Sequence, residues 1–403
     1  SGMNVLHVNE HITHKGGVET YLFDLLPRLE EQGVSSVLAY AEWTPSLHKE
    51  TRHVPSLGTV GFQAEEQARS HMENVLREED PDLVHIHNVQ NVGALQASLQ
   101  RRPTIVTTHD YRWVCPANTF FHRRPQEVCT RTCGVGCLAV TLAKRCVSPR
   151  PQYGAYFYRR AKWGIENADR FAQVIAPSQN AATRYTDAGF GNADISVLPY
   201  FCALQPAEVP RPLPDPPTIT YLGRIAPNKG HEYFIEALGQ LSSPVQGHIV
   251  GGMSDAVAAN LERLAERAGC ADRLTLQGWA SRAEVVDLLD RTSVFVFPSL
   301  WPETLGIVGI EALSRGVPVV ASDLGGVEEW CHEGKTGYRV PPKDPDAIAN
   351  RVDRLLRDPQ RLKSFGWRGL DLVRTKFEPA RHVRSLLHVY QEARAARRDI
   401  AHA

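Results

Sequence analysis

The chain has 403 residues, room for two or three domains each with its own core, and 45 Lys and Arg against 45 Asp and Glu. Balanced charge excludes a strong whole-molecule field toward nucleic acid or an anionic membrane, while leaving local patches open. No run approaches 18 apolar residues and the first residues lack a basic region followed by a long apolar run, so no bilayer span and a cytoplasmic location are expected.

"NVLHVN" reads as a buried strand, followed by the Gly-containing loop "EHITHKGGVE" and the helix "TYLFDLLPRLEEQG", which Pro27 is expected to bend or interrupt. "SSVLAYA", "DLVHIHN" and "TIVTTHD" are the next strands. Short apolar strands separated by helices argue for a parallel sheet covered on both faces. Residues 111–160 break the pattern with an aromatic, Arg-rich and Cys-rich insertion, after which "RFAQVIAPSQNAATRYTDAG" and "ISVLPYF" restore it. Six prolines fall within residues 206–217, "PAEVPRPLPDPP", a density that marks a stiff extended linker.

A second unit runs through "TITYLGRIAPNKG", "HEYFIEALGQL", "GHIVGG", "DAVAANLERLAERAG", "RLTLQG", "RAEVVDLLDRT", "VFVFPS" and "PVVASDLGG" to a late amphipathic helix with Asp346 as its cap. In "KFEPARHVRSLLHVYQEARAARR", Val383, Leu386, Leu387 and Tyr390 follow the spacing of one helical face, with Pro379 in the first turn and a frayed tail after Ala393. The expected organisation is an α/β protein of two doubly wound, Rossmann-like domains. Residues 3–205 form the first with its insertion, 206–217 the linker, 218–375 the second domain, and 376–403 a final helix and tail.

Ligands of open parallel sheets bind beyond the carboxyl ends of the strands. Arg224 and Lys229 follow one such strand, Gly251 and Gly252 another, and Glu303 a third. A helix starting near Gly306 or Ile307 presents unpaired amides, and Gly306 lets a phosphate approach them. Arg224 and Lys229 add positive charge for a diphosphate, Glu311 suits a sugar's vicinal hydroxyls, and Glu303 falls toward the other end of the same ligand. No GxxxxGK[ST] loop occurs, so a sugar-diphosphate-nucleoside fits better than a triphosphate. Taken singly, each residue also fits an ordinary role: a solvated helix acid, a loop acid, a routine basic loop.

"GGVE" (residues 16–19), His109 and Asp110 after a first-domain strand, "GRIAPNKG", and Glu303 and Glu311 in an EX7E arrangement within "PETLGIVGIEALSRGVPVVASDLGG" resemble the retaining GT-B glycosyltransferases of family four over nearly the whole chain. That resemblance implies two domains facing each other across a cleft, with the last helix crossing back onto the first. It implies that Gly17 faces the donor phosphates and acceptor, His109 the transferred sugar, Arg224 and Lys229 the diphosphate, and Glu303 the donor hexose. Ile307 and Val308 would offer helix amides, and Glu311 would hold the ribose. The implied reaction is hexose transfer with retention from a nucleotide donor, UDP favoured and GDP and ADP open. No divalent cation is implied for catalysis. The acceptor is a saccharide precursor, lipid-linked sugar or small molecule, with no nucleic acid and at most peripheral membrane association. A nucleotide-sugar epimerase, a phosphorylase and a non-catalytic sugar-nucleotide-binding protein are the alternatives.

Two further groups are open. His85 and His87 alternate and so share a strand face, as a packed structural pair or, for His87, a cleft residue; Glu10, His11 and His14 occupy the first loop, within reach of an acceptor. Cys115, Cys129, Cys133, Cys137 and Cys146 cluster in the insertion. A structural Zn2+ on Cys129, Cys133, Cys137 and either Cys146 or Cys115 stands beside free thiols, a disulfide or an iron–sulfur cluster. The neighbouring Phe120, Phe121, His122, Arg123 and Arg124 are expected to shape the acceptor side.

Overall fold

A computed structural model describes residues 2–12, 17–43, 50–147, 150–241 and 244–401. It divides into two units: residues 1–125, 129–200 and 380–403 form one, and residues 126–128 and 201–379 the other.

The apolar runs become strands because each can be buried on both faces only if helices cover the sheet. In the first unit, β1 (Met3–Val8), β2 (Val34–Tyr40), β3 (Thr51–His53), β4 (Leu83–Ile86), β5 (Thr104–Thr107), β6 (Gln173–Ala176) and β7 (Ile195–Val197) form a sheet in the order β7-β6-β5-β4-β1-β2-β3. Every pair is parallel. The helices α1 (Gly17–Glu31), α2 (Phe62–Glu79), α3 (Gly93–Arg101), α4 (Gly136–Ala143), α5 (Pro151–Glu166) and α6 (Gln179–Tyr185) connect them. Pro27 does not interrupt α1, which runs on to Glu31; Leu22, Leu25, Leu26 and Leu29 bury the same face on both sides of it. Burial of that apolar stripe outweighs the one backbone hydrogen bond that proline forfeits.

The second unit holds β8 (Thr218–Leu222), β9 (Gln246–Val250), β10 (Leu274–Gln277), β11 (Val294–Phe297), β12 (Val319–Ser322) and β13 (Gly337–Val340), all parallel in the order β10-β9-β8-β11-β12-β13. Its helices are α7 (His231–Gln240), α8 (Asp255–Arg267), α9 (Arg282–Asp290), α10 (Ile307–Ser314), α11 (Pro345–Leu356) and α12 (Pro359–Lys376). Ile219, Phe234, Ile249, Val296, Val320 and Val352 share its core. The cap of α11 is Asp344, whose carboxylate accepts from the Ala347 amide at 2.8 Å, and not Asp346, which accepts from Gln240. Pro345 explains the shift, because proline favours the first helical position directly after the cap.

Residues 206–217 contain neither helix nor strand. They are strapped to the second unit: the Ala207 amide donates to the Ser314 carbonyl and Arg374 donates to the Ala207 carbonyl.

Helix α13 (Pro379–Ala401) follows the second unit in sequence but belongs with the first. Its His382 bonds Tyr21 of α1, its Tyr390 bonds His85, and its Arg394 pairs with Asp82. Helix continues past Ala393 to Ala401, where fraying was expected; "QEARAARRDIA" is rich in strong helix formers. No helix among the described residues is long and apolar enough to cross a membrane.

Candidate active site

In the second unit the site is built where β8 and β11, neighbours in the sheet, end. Lys229 lies in the short 3-10 turn Pro227–Lys229 after β8, and Glu303 in the loop after β11. These two meet: the Lys229 ammonium donates to Glu303 Oε1 at 2.5 Å, with side chains only 12% and 8% exposed. The same oxygen accepts from the Ser299 hydroxyl and the Trp301 indole, each at 2.7 Å. Three donors on one oxygen form a charge-assisted cluster that fixes the carboxylate's orientation. The Trp301 ring also lies 5.3 Å from the ammonium.

The backbone under Glu303 is clamped as well. The Gly326 amide donates to the Glu303 carbonyl at 2.7 Å. A Cβ on Gly325, whose φ is +67°, would come within 2.2 Å of that carbonyl oxygen, so the "DLGG" run supplies the only residue type that fits.

Gly306 caps α10 in the left-handed region at φ 84°, and a Cβ there would press on Phe297 and Trp330 at 3.2–3.4 Å. Trp330 lies fully buried beneath the helix start and donates its indole hydrogen to the Leu305 carbonyl at 2.6 Å. Ile307 and Val308 occupy the first positions of α10, whose leading amides lack intrahelical partners. Glu311 is half-buried farther along α10; it adds to the burial that pushes the Cys202 thiol up to about 12. Arg224 is exposed on the loop after β8, outside the Lys229–Glu303 network. Its carbonyl accepts from the buried Tyr221 hydroxyl.

In the first unit the adjacent strands β1, β4 and β5 place a row of imidazoles side by side. His109 Nε2 lies 3.0 Å from His87 Nδ1, and His87 Nε2 3.2 Å from His7 Nδ1. The Tyr200 hydroxyl lies 2.5 Å from His109 Nδ1. Burial drives His109 down to about 3 and His87 and His85 well below the ordinary imidazole range, so all three are neutral at pH 7. A neutral ring donates from one nitrogen and accepts at the other, so the tautomers of the row are linked: fixing the proton on His109 fixes it on His87. His85, with both ring nitrogens bonded to Tyr390 and Thr107 at 2.7 Å, is the structural member of the pair. His7, His85 and His87 also hold ligand atoms within 4.8 Å of one another, the one such group of three or more metal-ligating residues among the described residues. His7 Nδ1 and both nitrogens of His85 and of His87 are already committed to this network.

Asp110 is chelated by Arg112, whose Nε and Nη2 donate at 2.8–3.2 Å, while Nη1 donates to the Val89 carbonyl. Burial alone would raise the Asp110 carboxyl, but the Arg112 charge and hydrogen bonds offset it and hold it below the usual range. Glu10 is buried 3.6 Å from Arg112, and its Oε2 has no hydrogen-bond partner among the described residues. His11 pairs with Glu42 at 3.3 Å. Gly17 opens α1 in an exposed position, and a Cβ there would meet nothing within 4 Å. Gly16 and His14 lie outside the described residues.

In the insertion all five cysteines are free thiols, so no disulfide forms there. Cys133 and Cys137 are in hydrogen-bond contact; that bond, with Arg131 and His122 nearby, brings Cys137 down to about 6 against its burial, while Cys133 is pushed up. Burial raises Cys115 to about 12 and Cys146 to about 11, and Cys129 also rises.

Sequence reasoning missed Ser299, Trp301, Trp330, Tyr200 and Arg112. Trp301, two residues before Glu303, carried a signal: an indole needs a buried acceptor. Tyr200 and Trp330 carried none, because their partners are distant in sequence.

Comparison with known proteins follows these units. The pattern of "Glycosyltransferase Family 4" matches residues 15–203 and that of "Glycosyl transferases group 1" residues 207–370. Alpha-D-kanosaminyltransferase of Streptomyces kanamyceticus is 33% identical over 182 residues, 45% of this chain and 47% of that protein. A GDP-mannose-dependent alpha-(1-6)-phosphatidylinositol monomannoside mannosyltransferase of Mycobacterium tuberculosis H37Rv is 34% identical over 166 residues, 39% of this chain and 43% of that protein. The chain thus spans about half the length, or less, of these curated relatives. Among solved structures, sucrose-phosphate synthase from Thermosynechococcus elongatus superposes with a TM-score of 0.77 at 19% identity, covering 98% of this chain and 100% of that one. Anabaena HepE in complex with UDP-glucose gives 0.71 at 18%, covering 96% and 99%. At such identities the likeness establishes the fold.

Proposed function

This chain belongs to the GT-B glycosyltransferases, and from that premise we propose that it transfers a hexose from a nucleoside-diphosphate donor to an acceptor hydroxyl with retention of configuration. The observation that carries the proposal is the Lys229–Glu303 cluster, built in the same unit as the amide-rich start of α10. In this reading the Ile307 and Val308 amides, Lys229 and Arg224 receive the diphosphate. Negative charge grows there as the leaving group departs, so these groups stabilise the transition state more than the ground state. Glu303 orients the hexose, Glu311 takes the ribose, and Gly17 leaves open space for donor and acceptor. Neutral His109, both of whose ring nitrogens are taken by His87 and Tyr200, meets the transferred sugar as an uncharged ring and donates to it only by exchanging one of these partners. It does so without placing a cation beside the developing oxocarbenium.

UDP is the favoured base; relatives carrying GDP-mannose or kanosaminyl in their names support the donor class and leave the base open. Glu10 Oε2, buried without a hydrogen-bond partner among the described residues, suits an acceptor hydroxyl. Thermal-shift titration with UDP, GDP and ADP, followed by turnover of the matching sugar donors, tests the reading. A stabilised chain that loses the shift in Lys229→Ala and loses turnover in Glu303→Ala is expected. Near-wild-type turnover in both variants refutes the assigned roles.

For the cysteine insertion the proposal is a structural Zn2+ on Cys129, Cys133, Cys137 and either Cys146 or Cys115, a set whose sulfurs would have to close further, since no three of them lie within 4.8 Å of one another. Support comes from the Cys133–Cys137 hydrogen-bond contact, which brings two of the thiols together. Metal analysis of protein purified without a metal-affinity column should return close to one zinc per chain, and below about 0.2 equivalents the site is excluded.

A further inference from the structure

Helix α4, "GCLAVTLA", turns its apolar side outward. Val135, Leu138 and Leu142 stand at the i, i+3, i+7 spacing of one helical face and are 77%, 39% and 46% exposed, with Ala139 and Ala143 exposed beside them. Only Thr141 of this helix is buried. In an ordinary surface helix the apolar stripe faces the core, so an outward stripe marks a surface that meets something apolar.

The charge around this face is equally unusual. Residues 116–150 carry six Lys or Arg against the single acid Glu127, a formal +5 within a chain that is neutral overall. Arg123, Arg124, Arg131, Arg145 and Arg150 are exposed. Three of them, Arg131, Arg124 and Arg145, lie at the two ends of α4. Arg131 reaches the helix start, its Nη2 lying 3.0 Å from where a Gly136 Cβ would be. The Arg124 amide donates to the carbonyl of Lys144, the residue that ends α4, at 3.1 Å, and Arg145 follows it directly.

We infer that the outward face of α4, with its flanking arginines, docks the protein on an anionic lipid surface. An interfacial helix needs an apolar side to enter the acyl boundary and cations level with the headgroups, and α4 supplies both in this order. A second copy of the chain would bring +5 against +5. A polyanion such as nucleic acid would engage the arginines but leave three aliphatic side chains in water. The inference is independent of the sugar-transfer reading, since none of these side chains belongs to the proposed donor site.

The test is flotation of the full chain with vesicles of phosphatidylcholine alone and with 30% phosphatidylglycerol. Binding to the anionic vesicles and not to the neutral ones is expected. Because each basic residue near such a surface contributes about five-fold to partitioning, Arg131→Gln with Arg145→Gln should weaken binding at least ten-fold, as should raising salt. Leu138→Asp with Leu142→Asp should abolish it, while thermal unfolding stays unchanged because both positions are exposed. No binding by wild type, or undiminished binding by the aspartate variant, overturns the inference. So does concentration-dependent self-association that only the aspartate variant lacks, which assigns the face to a second copy instead.

Discussion

The ion pair between Lys229 and Glu303 gives the sharpest prediction, because its strength can be worked out before any ligand is identified. At 2.5 Å and an effective dielectric near 20 the gross attraction is about 6–7 kcal/mol, opposed by several kcal/mol for desolvating each ion. The net stability of the pair over an apolar isostere is therefore small. Removing one partner is a different matter. Lys229→Met strands a carboxylate that is 8% exposed, and the usual loss for a broken buried pair is about 3–5 kcal/mol. Ser299 and Trp301 continue to donate to Oε1, which moves the expected loss down to about 2–3 kcal/mol. Glu303→Gln keeps the shape and removes the charge, with a similar expected loss of about 2 kcal/mol.

In the double variant the stranded charge disappears, so the losses should not add, and a coupling of about 2 kcal/mol is expected. The assay is equilibrium urea unfolding of the four species, followed by Trp fluorescence, since Trp301 sits in the cluster. In thermal unfolding the single variants should fall by roughly 4–12 °C, at about 2–4 °C per kcal/mol for a unit of this size. A coupling below about 0.5 kcal/mol, the value of an exposed pair, would show that the two charges are solvated separately and would remove the organising contact of the proposed donor site.

His87→Phe should lower kcat with little change in donor KM, because it frees one His109 nitrogen from its fixed tautomer without touching the donor; imidazole nitrogen NMR of His109 should report the change even where turnover is undetectable, and an unaltered His109 spectrum refutes the linkage. His85, His87, His109 and His382 are neutral when folded and take up protons when unfolded. Their contribution is therefore intact above about pH 6.5, the unfolded value, and is lost as pH falls toward the folded values, about 4 for His382 and about 3 for His109. Unfolding near pH 5 should absorb more than two protons, and a stability flat between pH 6.5 and 4.5 contradicts that burial. Gly306→Ala forces a left-handed φ on a residue with a Cβ and crowds Phe297, so a loss of about 1–3 kcal/mol and weaker nucleotide binding are expected in the thermal-shift titration.

The chain order of strands and helices was legible because parallel strands buried on both faces read as short apolar runs, and helices show a 3.6-residue period. Glu303, Glu311, Gly306 and Lys229 were legible because strand ends and helix starts are local features. The short strand Thr51–His53 escaped notice because, at a sheet edge, it lacks an apolar run.

What the sequence could not contain is the choice of partner. Lys229 finds Glu303 across 74 residues, His109 finds Tyr200 across 91, and α13 returns to Tyr21 across 361. Periodicity and capping act over one or two turns, whereas these bonds form only after two sheets have fixed which strand ends are neighbours. The residue types and their local geometry were thus set by the sequence. Which imidazole faces which, and which acid holds the lysine, was decided by tertiary packing, where a buried polar group must take the partner that the fold brings to it.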